Sequence, residues 1–419
     1  MNTLRRELTL LHAVGIGLAS MIGAGVFVVF APAAAAAGPY LFVGIVLALV
    51  VAICNATSTA QLAAQYPASG GTYHFGRQQL GPWPGFIAGW GFVVGKTASA
   101  GAMALTIGTY VASLAFGADA LLQRVVAIVA IVLVVALNLA GITRTATASL
   151  YIVGLVLFGL AVILVAIWSG APVAEQAFSV TTQPDAFGVL QSAGLVFFAF
   201  AGYARIATLG DEVKDPQRTI PRAIAITLPI VAVLYVVLAW SLVHTLGIER
   251  LAQEAAPIQA AVGELPWAAW LVSAVAAIAA FGALLAGVAG ITRTGYAMAS
   301  NHDLPHPLAV LSDRSAVPAR LTVLVGAIAI VLVSVGDIRE VIGFSSVGVL
   351  VYYFVANVAA FTQERSARQF PRWLQLLGAG LCALLVVTLP ALSVLAGLAV
   401  FGIGIVYRLV AQARLAKRQ

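Results

Sequence analysis

The chain has 419 residues, of which 62% are hydrophobic and only 9% charged, with a mean hydropathy of +1.03. A water-soluble protein of this length cannot hide so much apolar surface, so the composition excludes a soluble globular fold and points to the bilayer as solvent. The formal net charge of +7 would suit nucleic acid, but the basic residues follow the apolar segments instead of forming one patch, which excludes that partner too.

A membrane span needs about 20 apolar residues. Twelve stretches approach that length: 8–37, 40–63, 82–116, 122–141, 149–170, 187–210, 222–246, 266–298, 320–335, 338–361, 373–389 and 391–410. With both termini placed in the cytoplasm, 17 of the 22 basic residues fall on the cytoplasmic side. Only Arg124, Arg250 and Arg339 fall opposite, and Lys96 and Arg205 lie within spans. This asymmetry follows the positive-inside rule and predicts an all-α integral protein of the cytoplasmic membrane with 12 transmembrane helices.

The first stretch begins after Arg5-Arg6 and contains the alanines 33–37, a pattern also found in secretory signals. It is too long for such a leader and is interrupted by glycines, so it reads as a span. The interruption, Ser20-Met21-Ile22-Gly23-Ala24-Gly25-Val26-Phe27, places two glycines one residue apart at mid-bilayer depth. Lipid offers no hydrogen-bond partners, so unwound backbone there must face protein or a water-filled cavity. Transporters bind their cargo at such breaks. The competing reading is a packing notch, since glycine also lets membrane helices approach closely.

Cys54 and Cys382 lie far apart in apolar spans and read as reduced core residues. Polar residues concentrate in three loops, 65–84, 210–222 and 299–320. The sixth stretch carries a second, weaker interruption, Phe197-Phe198-Ala199-Phe200-Ala201-Gly202-Tyr203-Ala204-Arg205. Gly25 and Gly202 stand about five spans apart. Matched breaks in two five-span halves predict an inverted repeat. The halves would be 8–170 and 187–361, with additional helices at 371–410, in one membrane unit over 1–419.

Two segments carry a resemblance. GIGLASMIGAGVFV, from Gly15, and FFAFAGYARIATLGDEVKDPQRTIPRAI, from Phe197, resemble the amino acid–polyamine–organocation permeases. Asn301-His302-Asp303-Leu304-Pro305 is similar to the loop after span eight in that family. The resemblance implies a five-plus-five inverted-repeat fold with broken helices 1 and 6, and a secondary active transporter working by alternating access. It implies an amino acid substrate held by Met21, Ile22, Gly23, Ala24 and Gly25 on one side and by Phe198, Ala199, Phe200, Ala201 and Gly202 on the other. Phe198 matches the family's aromatic lid. The backbone chemistry agrees. A half-helix starting after the break offers free N–H groups and a positive dipole end to a carboxylate. Carbonyls near Met21 and Phe198 to Ala201 would receive the ammonium group.

Lys96 lies halfway along span three, where a charge is costly and marks a functional site. A lysine can take up and release a proton, so it is a candidate for proton coupling or substrate contact. Arg205 keeps its proton and reads as a cavity charge, a gate or a strut toward a partner such as Asp211. Neither broken span contains a carboxylate, which favours neutral amino acids over cationic ones. Span eight offers only Ser273 as a hydroxyl in 272–291, which argues against sodium coupling. Proton symport is expected, with ion-independent exchange or a non-transporting sensor as alternatives. A channel would need a filter-like loop. An enzyme would need a nucleophile with a base, or a metal cluster. His302 and His306 are four apart, but Pro305 and Pro307 interrupt any helix that would make them a zinc pair. No cofactor is implied, and the partners are the substrate, protons and the lipid bilayer.

Overall fold

The computed structural model describes residues 7–67, 70–115, 119–141, 146–170, 174, 177–178, 185–210, 212–263, 265–312 and 317–416. Arg5, Arg6 and Asp211 lie outside them. The described residues are helical almost throughout; their extended structure is a single parallel bridge between Leu8 and Val213.

The first apolar stretch forms three helices, α1 (Leu10–Met21), α2 (Gly25–Val28) and α3 (Phe30–Ala37). Pro32 accounts for the restart at Phe30, because proline fits the first turn of a helix and not its interior. Next come α4 (Leu41–Gln65), α5 (Gly71–Leu80), α6 (Pro82–Ala115), α7 (Ala120–Leu139) and α8 (Ala146–Gly170). The sixth stretch is α9 (Ala186–Phe200), a 3₁₀ turn at Ala201–Tyr203, and α10 (Ala204–Ala207). Helix α11 (Pro216–Gln253) starts with the proline of the Asp215-Pro216 pair, whose missing N–H costs nothing at that position. It kinks at Gly247, whose φ of 74° is open to glycine. The chain ends with α12 (Pro257–Ala261), α13 (Pro266–Ser300), α14 (Ala319–Val335), α15 (Ile338–Phe361), α16 (Arg372–Thr388) and α17 (Ala391–Ala416).

Among the described residues, nine helical segments are long and apolar enough to cross a membrane, and α14 and α16 are shorter apolar helices. Large apolar side chains cover the outside: Val129 and Val132 on α7, Phe158 and Val165 on α8, Leu395 and Leu398 on α17 are all exposed. Such a surface suits the hydrocarbon of a bilayer. Helix α6 runs through the middle and packs on α13 and α15.

A polar seam joins α4, α15 and α16 at depth. Asn357 donates to Asn55 Oδ1 at 2.6 Å and accepts from the Ser58 hydroxyl at 2.6 Å. The Cys382 thiol lies 3.3 Å from the same Asn55 oxygen. Gly378 lets α16 settle on this group, since a Cβ there would stand 2.6 Å from Asn357 Oδ1. Both cysteines are buried and free, as the sequence suggested.

The loop expected at 65–84 contains a full helix, α5. Its last turn faces a buried ionic group at the end of the bundle that also carries Leu8 and 301–312. Asp303 accepts from Arg77 at 2.7 Å and from the Tyr73 hydroxyl at 2.8 Å on Oδ2, and pairs with Arg408 at 3.2 Å through Oδ1. Burial, and then the Asp303 carboxylate, push the Tyr73 hydroxyl above its ordinary pKa. The Arg408 guanidinium lies 4.6 Å from the ring centres of both Trp83 and Phe86, which supply a cation–π surface. At the same end, the amide of Leu8 donates to Glu212 O at 3.0 Å and Leu8 O accepts from Lys214 at 2.9 Å.

Candidate functional site

The site grows from the gap between α1 and α2. The amide of Ile22 closes the last turn of α1 on Leu18 O at 2.7 Å. The amides of Gly23, Ala24 and Gly25 have no backbone acceptor among the described residues, and the ladder resumes with Phe27 on Ala24 O at 3.0 Å. With Val26, which likewise has no backbone acceptor among the described residues, four consecutive N–H groups are left at the start of α2, at a depth where water is scarce.

The sixth stretch behaves differently. It tightens into one 3₁₀ turn at Ala201–Tyr203 and does not open. The two segments then cross backbone on backbone. A Cβ on Gly202 would stand 2.5 Å from the carbonyl carbon of Ser20 and 2.6 Å from the Met21 nitrogen. A Cβ on Gly25 would stand 2.7 Å from Ala199 Cα, and one on Gly23 would stand 2.6 Å from Ala283 Cβ. Real Cβ atoms do not approach so closely, so glycine is a steric requirement at all three positions. The gap is thus a packing notch as well as a source of free amides. A void of about 10 Å³ lies beside Ile22, lined by Ala19, Ile152 and Ala279 among others, at the lower limit for one water.

The carbonyls around the crossing already have donors. The Tyr235 hydroxyl lies 2.6 Å from Met21 O and 3.1 Å from Ala199 O, sharing its proton between the two segments. The Tyr110 hydroxyl donates to Phe27 O at 2.8 Å. Lys96 Nζ donates to Ala201 O at 3.3 Å, and the Tyr353 hydroxyl reaches that oxygen at 3.4 Å. The sequence assigned these carbonyls to a ligand's ammonium group. In the structure Tyr235, Lys96 and Tyr353 hold them. Lys96 is therefore drawn to the crossing from α6, more than a hundred positions away in the chain.

Met21, Ile22, Gly23, Ala24 and Gly25 are buried, as are Ala199, Phe200, Ala201 and Gly202. Phe197 meets Tyr353 edge to face at 5.7 Å, and Phe200 packs on Tyr235 at 4.9 Å. Phe198 is the most accessible of the three, at 9% against 0% for the other two.

Sequence reasoning missed Tyr110, Tyr235 and Tyr353. The available signal was weak: a mid-span tyrosine must find a partner for its hydroxyl when buried.

Arg205, two residues beyond the 3₁₀ turn, donates to the Thr208 hydroxyl at 3.0 Å. It makes no ion pair among the described residues. Its expected partner Asp211 lies outside them. Nearby, Arg293 pairs with Glu212 at 3.2 Å. His302 and His306 stack on each other at 5.7 Å.

Known proteins give this arrangement its class. A family model described as amino acid permease matches residues 8–415. The chain is 48% identical to an uncharacterized transporter of Mycobacterium tuberculosis, over 96% of this chain and 91% of that one. It is 28% identical to a vacuolar cationic amino acid transporter of Arabidopsis thaliana, over 85% of this chain and 63% of that one. It is 25% identical to a branched-chain amino acid permease of Bacillus subtilis, over 88% of this chain and 83% of that one. The chain belongs to the amino acid permease family, and it is a membrane transporter, not an enzyme.

Proposed function

We propose that the protein is a secondary active transporter that carries neutral amino acids across the cytoplasmic membrane by alternating access, with proton symport. The single observation that carries this reading is the crossing itself. The amides of Gly23, Ala24 and Gly25 are unpaired beside a segment whose carbonyls are held by Tyr235, Lys96 and Tyr353, donors that an arriving ammonium group would have to displace. A zwitterion fits such a site with no charged side chain, because a helix start attracts the carboxylate.

Neutral selectivity rests on the charges around the crossing. No aspartate or glutamate occurs in 8–118, 186–210 or 216–248, which together supply α1–α6 and α9–α11 up to its Gly247 kink. Lys96 adds a positive charge. A cationic side chain would meet repulsion there and find no counter-ion. The relative named as a branched-chain permease agrees. The relatives named as cationic amino acid transporters favour a second reading, in which the substrate is cationic. Uptake of labelled leucine and labelled arginine into proteoliposomes separates the two.

Lys96 is the proposed coupling residue. Protonated, it holds Ala201 O and so ties α6 to the span-six segment; neutral, it offers the same oxygen a much weaker donor. Phe198 would cover bound substrate. The twelve spans would form the inverted repeats 8–170 and 187–361 with further helices at 371–410, and both termini would lie in the cytoplasm. Ion-independent exchange is the alternative mode. Uptake with and without an inward proton gradient, in wild type and Lys96→Ala, tests the coupling. The gradient should accelerate wild type alone. Equal acceleration in both removes Lys96 from the coupling role.

A further inference from the structure

We propose that the cavity beside Arg205 is a second, separate binding site, selective for a small carboxylate, of which the transported amino acid is the first candidate. The cavity has a volume of about 520 Å³, within the ordinary range for small-molecule sites. Leu311 and Arg293, both exposed, are among its lining residues. Its lining is mixed, with Asn138, Thr208 and Thr322 supplying polar groups among apolar ones.

Arg205 gives the cavity its sign. Arg293 also lines it but is neutralised by Glu212 at 3.2 Å. Arg205 has no carboxylate partner among the described residues, and its one side-chain bond is to a neutral hydroxyl. A guanidinium carries five N–H donors in a planar fork. One nitrogen is used on Thr208, and no Arg205 nitrogen is sealed into protein without a partner. Among the described residues the remaining donors have no partner, and a carboxylate matches them two at a time.

Gly290 makes room for the arrangement. A Cβ there would stand 3.6 Å from Arg205 Nη1, an ordinary contact, so the guanidinium lies beside the glycine. A side chain as large as leucine would compete for the space the guanidinium occupies. The cavity is therefore built around an arginine that lies close in sequence to the Ala201–Tyr203 turn and follows it on the same segment.

This inference rests on the proposed function in one respect, that the physiological carboxylate belongs to the substrate. The binding test is independent of it. Isovalerate carries the carboxylate and isobutylamine the amine of a branched amino acid, each without the other group. Purified full-length protein in detergent is titrated with each, and the unfolding midpoint is followed. A ligand that binds only the folded state raises that midpoint.

Isovalerate should give a saturable rise in wild type and in Gly23→Ala. The rise should need about tenfold more isovalerate or above in Arg205→Gln, the loss expected for hydrogen bonds to a charged group. Arg205→Lys should restore part of it, and Gly290→Leu should remove it with Arg205 intact. Isobutylamine should have no effect. The proposal falls if Arg205→Gln and Gly290→Leu both bind isovalerate as wild type does. It also falls if Gly23→Ala, shown to be folded by a cooperative unliganded transition near the wild-type midpoint, alone abolishes the rise, which would put the carboxylate at the crossing and leave the proposed function standing.

Discussion

Replacement of Lys96 by methionine should separate stability from coupling. A charged side chain at the centre of a span costs about 2.5–3.5 kcal/mol. Its hydrogen bond to Ala201 O, at 3.3 Å, returns about 1.5–3 kcal/mol, the value for a bond to a charged group. Methionine fills a similar volume and removes both terms. The difference predicts that Lys96→Met is roughly 1 kcal/mol more stable than wild type. The unfolding midpoint in detergent should rise slightly, while acceleration of uptake by a proton gradient disappears. A residue kept for packing would behave in the opposite way. A lower midpoint combined with an unchanged gradient response would refute the reasoning.

Gly25→Val should cost about 1–3 kcal/mol by overpacking, because its Cβ would stand 2.7 Å from Ala199 Cα; uptake should be lost with the protein still inserted, and normal uptake would count against the crossing as the site. Tyr235→Phe strips Met21 O and Ala199 O of their donor and should lower stability by about 1–3 kcal/mol, read from the unfolding midpoint. Asp303→Asn breaks the pair with Arg408, whose side chain is only 3% exposed, and should cost about 3–5 kcal/mol. Adding Arg408→Met to that variant should recover part of the loss, since the uncompensated charge is then gone; no recovery would show that Arg408 is not the strained partner.

The glycine pair at 23 and 25 was legible because glycine in an apolar run has few explanations, and the helix does end at Met21. Gly202 was legible as a special position but not in its form. A single glycine between Ala201 and Tyr203 leaves enough helical propensity for a 3₁₀ turn, which keeps hydrogen bonds that an open loop would lose. Lys96 was legible as a costly charge, and its target was not. Ala201 O is supplied by the fold, and a backbone oxygen leaves no trace in composition. The tyrosines at 110, 235 and 353 were missed for the same reason, since their acceptors are carbonyls. Asp303 and Arg408 each read as ordinary loop and helix-end charges. They meet only because α17 returns to the end of the bundle where α5 and the loop after α13 lie.

The parallel bridge between Leu8 and Val213 joins the entry to the first broken stretch with the exit from the sixth. Both of its bonds are main chain to main chain, and any non-proline residue can make them. A side-chain scan by alanine would therefore pass over this clasp without a signal. Proline at position 8 would expose it, because that substitution deletes the amide that reaches Glu212 O. The segments on either side of the crossing are thus buckled together at one end by an element whose importance is invisible to sequence identity.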